Sequence, residues 1–213
     1  MSLTTNQSSL LYQLRSLIPL RPLSQFEAYR LAELQANRIL EAARVDQPGT
    51  PDRLISGLPF MAIQVRADMP SSGLTRWVKP RWQVYLNRTD SAVRRRYSLA
   101  HEFKHVLDHG MSDHLYLPTQ WVTAEERVER VCDYFAASYL MPRRLVKRRY
   151  FQGLNDPSEL AAEFGVSPQA MRYRLDQLGL TARIPRCDRQ LRSRPQSGRS
   201  GYLRRLPASE RVA

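Results

Sequence analysis

Cysteine is nearly missing from this 213-residue chain. Two residues, Cys132 and Cys187, cannot build a disulfide framework, which suits a reducing compartment. No stretch approaches the roughly 18 apolar residues of a membrane-spanning helix. The opening segment, MSLTTNQSSLLYQLRSLIPLRPLS, lacks the basic start, apolar run and small-residue cleavage site of a secretory signal. No internal repeat organises the chain. These absences lead us to expect a cytoplasmic protein with no membrane partner. Acidic side chains are scarce too, with 20 Asp and Glu against 33 Lys and Arg and a net charge of +13. Such a surplus favours polyanions such as nucleic acid. Its location weakens that reading, because residues 181–213 carry nine Arg and two acidic residues, about half of the excess.

What is present reads as one domain with an appendage. Hydrophobic residues make up 42%, enough for a core. Residues 1–22 give no clear structural signal. Ser24 with Glu27 forms a capping-box pattern that opens a helix over 25–45. A loop with at most one helical turn follows. FMAIQVR, GLTRWV and RWQVYLN read as strands, the last two as a hairpin about Lys79 and Pro80. Thr89, Asp90 and Ser91 offer N-caps for a helix over 92–109 that Gly110 ends. Thr123 with Glu126 is a second capping box, for a helix running to Leu140. A short basic helix covers 143–151. In 157–180 the pattern is helix, tight turn, helix, with Ala161, Gly165 and Met171 at helix-turn-helix spacing. Ser167 there caps the second helix, and Pro168 occupies its first turn. The Arg, Ser, Pro and Gly of 181–213 predict a disordered tail with weak, nonspecific affinity for DNA.

The histidines carry the chemistry. The chain has four, and three fall in RYSLAHEFKHVLDHG, residues 96–110. At about 100° per residue, His101 and His105 project from one helix face a turn apart. Two imidazole nitrogens so placed can clamp one Zn²⁺, with Glu102 close enough to act on a water there. Val93, Leu99, Ala100, Phe103, Val106 and Leu107 fill the other arc and face the core. Lys104 falls among those core-side positions, where a lysine can snorkel or weaken the site.

A catalytic zinc needs a third protein ligand. The metzincin pattern fails, because Asp108 and Met111 stand where its Gly and third His belong. A Glu on a second helix with an Asp four residues later is supplied by Glu129 and Asp133. Asp133 would accept the free N–H of a ligand histidine and fix its tautomer. His109 is the rival third ligand, although it suits the helix C-terminus as a cap. Cys132 can bind zinc in principle, but its neighbours suit a small buried residue. For the oxyanion partner the candidates are His114, Tyr116 and Tyr134. RWQVYLN is a candidate edge strand for an extended substrate.

RRRYSLAHEFKHVLDH followed by ERVCDYFAASYLMP resembles the ImmA/IrrE metallopeptidases, and SGLTRWVKPRWQVYLNRTDS is similar to their strand pair. The likeness spans roughly 55–180. It implies a cytoplasmic peptidase with one Zn²⁺ per chain that cleaves a cognate helix-turn-helix repressor. It also implies His101, His105 and Glu129 as ligands and Glu102 as base. The expected fold is α+β: a mostly helical zincin-like domain over 23–142 with a small antiparallel sheet, then a helix-turn-helix-like subdomain over 143–180. Two other functions stay open. One is a DNA-binding regulator, using 157–180 with Arg172 and Arg174 pointing outward and the basic tail. The other is an inactive zincin-fold interaction protein.

Overall fold

The computed structural model describes residues 10–181; the Arg-rich stretch 182–213, with Cys187, lies outside the described residues. The expected mixture of a mostly helical body and a small sheet is what forms. Helix α1 (Gln25–Ala42) opens on the predicted capping box, in which the Ser24 hydroxyl accepts from the Glu27 amide and the Glu27 side chain accepts from the Ser24 amide. It ends three residues earlier than its pattern suggests, because the chain turns at Arg44 with φ 53°. A single helical turn, α2 (Arg53–Ser56), interrupts the loop that follows. Ser91 is the cap actually used for α3 (Ala92–Asp108). After the short α4 (Ser112–Leu115), the Thr123–Glu126 capping box opens α5 (Ala124–Leu140). Next come α6 (Arg143–Phe151), α7 (Pro157–Phe164) and α8 (Pro168–Gln177).

Strands β1 (Met61–Arg66), β2 (Gly73–Val78) and β3 (Arg81–Asn87) form one sheet in the order β1-β3-β2. The β2–β3 hairpin is antiparallel, with Val78 opposite Arg81. The wholly antiparallel sheet expected from the sequence is corrected at β1, which runs parallel to β3. RWQVYLN is therefore the central strand, paired on both sides, and not an edge. Its Trp82, Val84 and Leu86 are buried. The register sets Thr75 beside Val84 and Gly73 beside Leu86, so one face of the edge strand β2 lies over α3, which the sheet packs against.

Residues 1–22 gave no signal in the sequence, yet 10–15 are helical, and Leu14 and Ile18 enter the core. Arg15 donates to the Val106 carbonyl at 2.8 Å, and Gln35 donates to the Leu14 carbonyl at 3.0 Å. The helices after Leu140 join the same core through Leu145, Val146, Leu160, Phe164, Met171 and Leu175.

Buried and half-buried cations tie these parts together. Lys104 does not snorkel: it is 0% exposed, and its ammonium donates to Gln35 Oε1 and Asp108 Oδ1, each at 2.7 Å. The other Asp108 oxygen accepts the Tyr116 hydroxyl at 2.6 Å. Arg174, expected to face outward, is also 0% exposed. Its guanidinium donates to the Met141 carbonyl at 3.1 Å and lies over the Tyr134 ring. A side chain spent on the interior cannot read a base edge, so Arg174 is removed from the nucleic-acid contacts; Arg172 is exposed. Arg96 reaches from α3 to the Gly165 carbonyl and the Thr50 carbonyl, both at 2.6 Å. Gly165 has φ 63°, and a Cβ there would lie 2.2 Å from Arg96 Nη1, so this turn between α7 and α8 requires glycine.

Removing one partner of a buried ion pair leaves the other charge without compensation. Lys104→Met should therefore cost about 3–5 kcal/mol in urea unfolding. Adding Asp108→Asn should recover part of that loss. Equal stability of wild type and the single variant would contradict the network.

Candidate metal centre

Helices α3 and α5 supply the site from facing sides. Phe103 of α3 and Phe135 of α5 are buried with ring centroids 6.2 Å apart. That contact lies one helical step from the polar faces: His101 and His105 on α3, Glu129 and Asp133 on α5. Those four side chains converge. His101 Nε2 and His105 Nε2 are 3.2 Å apart. Glu129 Oε2 is 3.1 Å from His101 Nε2, and Glu129 Oε1 is 3.4 Å from His105 Nε2. Asp133 Oδ1 lies 3.0 Å from His101 Nδ1. A hydrogen bond there places the Nδ1 proton on the carboxylate side and leaves Nε2 free to coordinate.

The spacing can be tested against a metal. Tetrahedral bonds of about 2.0–2.1 Å put neighbouring ligand atoms about 3.3–3.4 Å apart. The three separations between His101, His105 and Glu129 fall at that edge length, so these residues fit a small tetrahedral cation. Cys132 competes by position, since its sulfur and one nitrogen of each histidine lie within 4.8 Å of one another. It approaches from the buried side. Burial, followed by the negative charge of Asp108, pushes its thiol pKa up in the metal-free protein, so coordination there would have to displace a tightly held proton.

The electrostatics ask for positive charge. Burial opposes the charged form of His101, but hydrogen bonds to Asp133 and Glu129 outweigh it and raise its pKa to about 9. The same contacts to His101 and then His105 hold the Glu129 carboxyl far below the usual range. In the metal-free protein a proton occupies the place that a cation would take.

Glu102 stands beside this cluster, 8% exposed. The Thr75 hydroxyl of β2 donates to its Oε2 at 2.7 Å. Gly73 makes room for the carboxylate, because a Cβ there would lie 2.5 Å from Glu102 Oε1. Sequence reasoning missed Thr75 and Gly73, and no local signal marks them: they reach Glu102 only through sheet-on-helix packing. Glu102, Thr75 and Gly73 border, with His101, His105 and Glu129, a cavity of about 460 Å³, which Trp82 and Val128 also line.

Other sequence candidates fall elsewhere. His109 sits at the C-cap of α3 with its ring edge-on to Trp82, 4.7 Å between centroids, and borders the cavity without joining the ligand cluster. Tyr116 is corrected as an oxyanion partner, because it is fully buried and its hydroxyl is given to Asp108. Tyr134 stacks on Tyr29 at 4.3 Å and borders a different cavity. His114 is exposed and does not line the metal-site cavity.

A folded-state pKa raised from 6.5 to about 9 contributes stability fully below 6.5, and that contribution is lost as pH rises through 9. The chelator-treated protein should therefore lose stability between pH 6.5 and 9. Asp133→Asn should move the His101 titration downward in proton NMR. A His101 titration near 6.5 in the wild type would refute the coupling.

Three comparisons bear on these observations. The IrrE N-terminal-like domain family of M78 peptidases matches residues 61–176. No curated protein sequence matches the chain. Among solved structures, a Mycobacterium tuberculosis transcriptional regulator is similar, with a TM-score of 0.57 at 18% identity. The match covers 83% of this chain and 53% of that one, so the chain corresponds to about half of the regulator's length. At that identity the likeness speaks for the fold alone. With more than half of its length matched by one peptidase family, over the strands and helices that assemble the His, Glu and Asp cluster, the chain belongs to the IrrE N-terminal-like (M78) peptidase family.

Proposed function

We propose that the protein is a cytoplasmic zinc metalloendopeptidase whose substrate is a helix-turn-helix repressor. The observation that carries this reading is the tetrahedral-edge spacing of His101 Nε2, His105 Nε2 and the Glu129 oxygens, at 3.1–3.4 Å, with Glu102 alongside. In it His101, His105 and Glu129 hold one Zn²⁺, and Asp133 orients His101. A bound Zn²⁺ supplies Lewis acidity to the scissile carbonyl and to a water molecule. Glu102 takes the proton of the attacking water and passes it to the leaving amine. Thr75 and Gly73 keep its carboxylate in place, the first by donating a hydrogen bond and the second by leaving space. The outer edge of β2 is unpaired among the described residues and borders the cavity at Gly73, Leu74 and Thr75. It offers backbone groups to an extended substrate, the role that sequence reasoning gave to RWQVYLN.

Support for a repressor substrate comes from the family resemblance. The competing regulator reading is weakened by α8, where Arg174 is interior and Arg96 holds the turn before the helix against α3. An inactive protein that keeps the fold would bind zinc without cleaving.

Glu102→Gln should keep about one Zn²⁺ per chain and slow cleavage of a helix-turn-helix repressor substrate by about 10²–10⁴-fold. Glu129→Ala should lose zinc on metal analysis, whereas Cys132→Ala and His109→Ala should keep it. Zinc lost from the Cys132 variant and retained by the Glu129 variant would exchange their roles. Gly73→Ala should also keep zinc and lose activity, because its methyl group displaces the Glu102 carboxylate. An unaltered rate in the Glu102 variant would end the base assignment.

A further inference from the structure

A second chamber, of about 540 Å³, opens between α1, α3, α5 and α8. Its size is that of a binding pocket. It does not touch the histidines, yet it is not isolated. A smaller cleft of about 280 Å³ shares Arg94, Tyr97 and Asp133 with the chamber and shares Gly73, His101, Glu102 and Glu129 with the metal-site cavity. The three spaces therefore adjoin one another in series from the metal centre to α8, as a trough crossed at Asp133 by the Tyr97 hydroxyl, which donates to the Asp133 carbonyl at 3.0 Å.

The chemistry of the far end is uneven. Tyr29 and Tyr134 stack at 4.3 Å and 7° on one side, and Tyr173 is 59% exposed on the other. Arg94 and Arg130 bring two guanidinium groups to the lining. Arg130 makes no ion pair among the described residues, and Arg94 has only a 3.3 Å contact with the Ser72 hydroxyl. The one carboxylate in the lining, Asp133, is held by His101. Guanidinium donors with no ion pair among the described residues, in a lining shared with Tyr29, Tyr134 and Tyr173, suit a planar carboxylate, which they can bind with two hydrogen bonds.

We propose that this chamber is a specificity subsite for an acidic residue of the polypeptide substrate, several residues from the scissile bond on the His101 side. The inference rests on the metallopeptidase reading for its catalytic consequence, but the binding it describes can be measured without hydrolysis. It gives α8 a role: the helix and the turn before it supply one wall of the substrate trough through Val166, Ala170 and Tyr173.

The test uses the full-length Glu102→Gln protein loaded with zinc and two fluorescein-labelled extended peptides, identical except that one carries Asp and Glu where the other carries Asn and Gln. Anisotropy in about 0.3 M salt, where the Debye length is short, suppresses diffuse attraction to the basic chain. The acidic peptide should bind about tenfold more tightly, as expected for one charge-assisted interaction. Arg94→Ala with Arg130→Ala should abolish that preference. Arg38→Ala with Arg53→Ala, the same charge loss at exposed positions outside all three cavities, should preserve it. Equal binding of the two peptides, or a preference that survives Arg94→Ala with Arg130→Ala, would overturn the subsite. In parallel, the wild-type enzyme should cleave a proteome-derived peptide library with acidic residues enriched at one fixed distance from the cut, and Arg130→Glu should reverse the enrichment. Cleavage with no acidic enrichment overturns the subsite and leaves the peptidase intact. Selective acidic binding without any cleavage supports the subsite and sinks the peptidase reading.

Discussion

The packing of α3 against α5 is the constraint on which the rest of the structure depends. A metal-binding cluster tolerates errors of only a few tenths of an ångström in ligand spacing, and here the donors come from two helices. Their relative placement is set by buried side chains, Leu99, Phe103, Val106 and Leu107 on one helix and Val131, Phe135 and Ala136 on the other. Close-packed interiors resist such shifts. The sheet then closes the site from a third direction, with Thr75 and Gly73 fitted against Glu102. Each of these contacts joins parts of the chain that lie far apart in sequence.

Buried and half-buried cations do much of the joining. Arg127 donates to the Leu23 carbonyl and to the Leu117 carbonyl, tying α5 to the segments before α1 and after α4. Lys104, Arg96 and Arg174 act in the same way between other elements. Carbonyl oxygens are good partners for this purpose, since they satisfy a guanidinium donor without requiring a second buried charge. The high positive charge of the chain therefore overstates its attraction to polyanions. Part of it is structural and points inward.

Much of the candidate site was legible early because its relations are local. His101, Glu102 and His105 lie within five residues on one helix, and helix geometry alone puts the two imidazoles on one face. Glu129 and Asp133 bear the same relation on α5. The capping boxes at Ser24 and Thr123 likewise depend on residues three positions apart, and both formed. The link between the two helices, which neither periodicity contains, comes from the need of a catalytic zinc for a third ligand and is also implied by the family resemblance.

What the sequence by itself determined was the longer helices from Gln25 onward, the hairpin and the two halves of the ligand cluster, because side chains three or four residues apart interact through a backbone whose geometry is known. Tertiary structure alone decided that β1 runs parallel to β3, that β2 is the strand beside Glu102, and that Tyr116 and Arg174 turn into the core. It also decided that Cys132 lies near the histidines and that a trough leads to α8. The reason is physical: a long polar side chain such as arginine or tyrosine can be solvated or buried with a partner, and only the position of that partner, many residues away, selects between them.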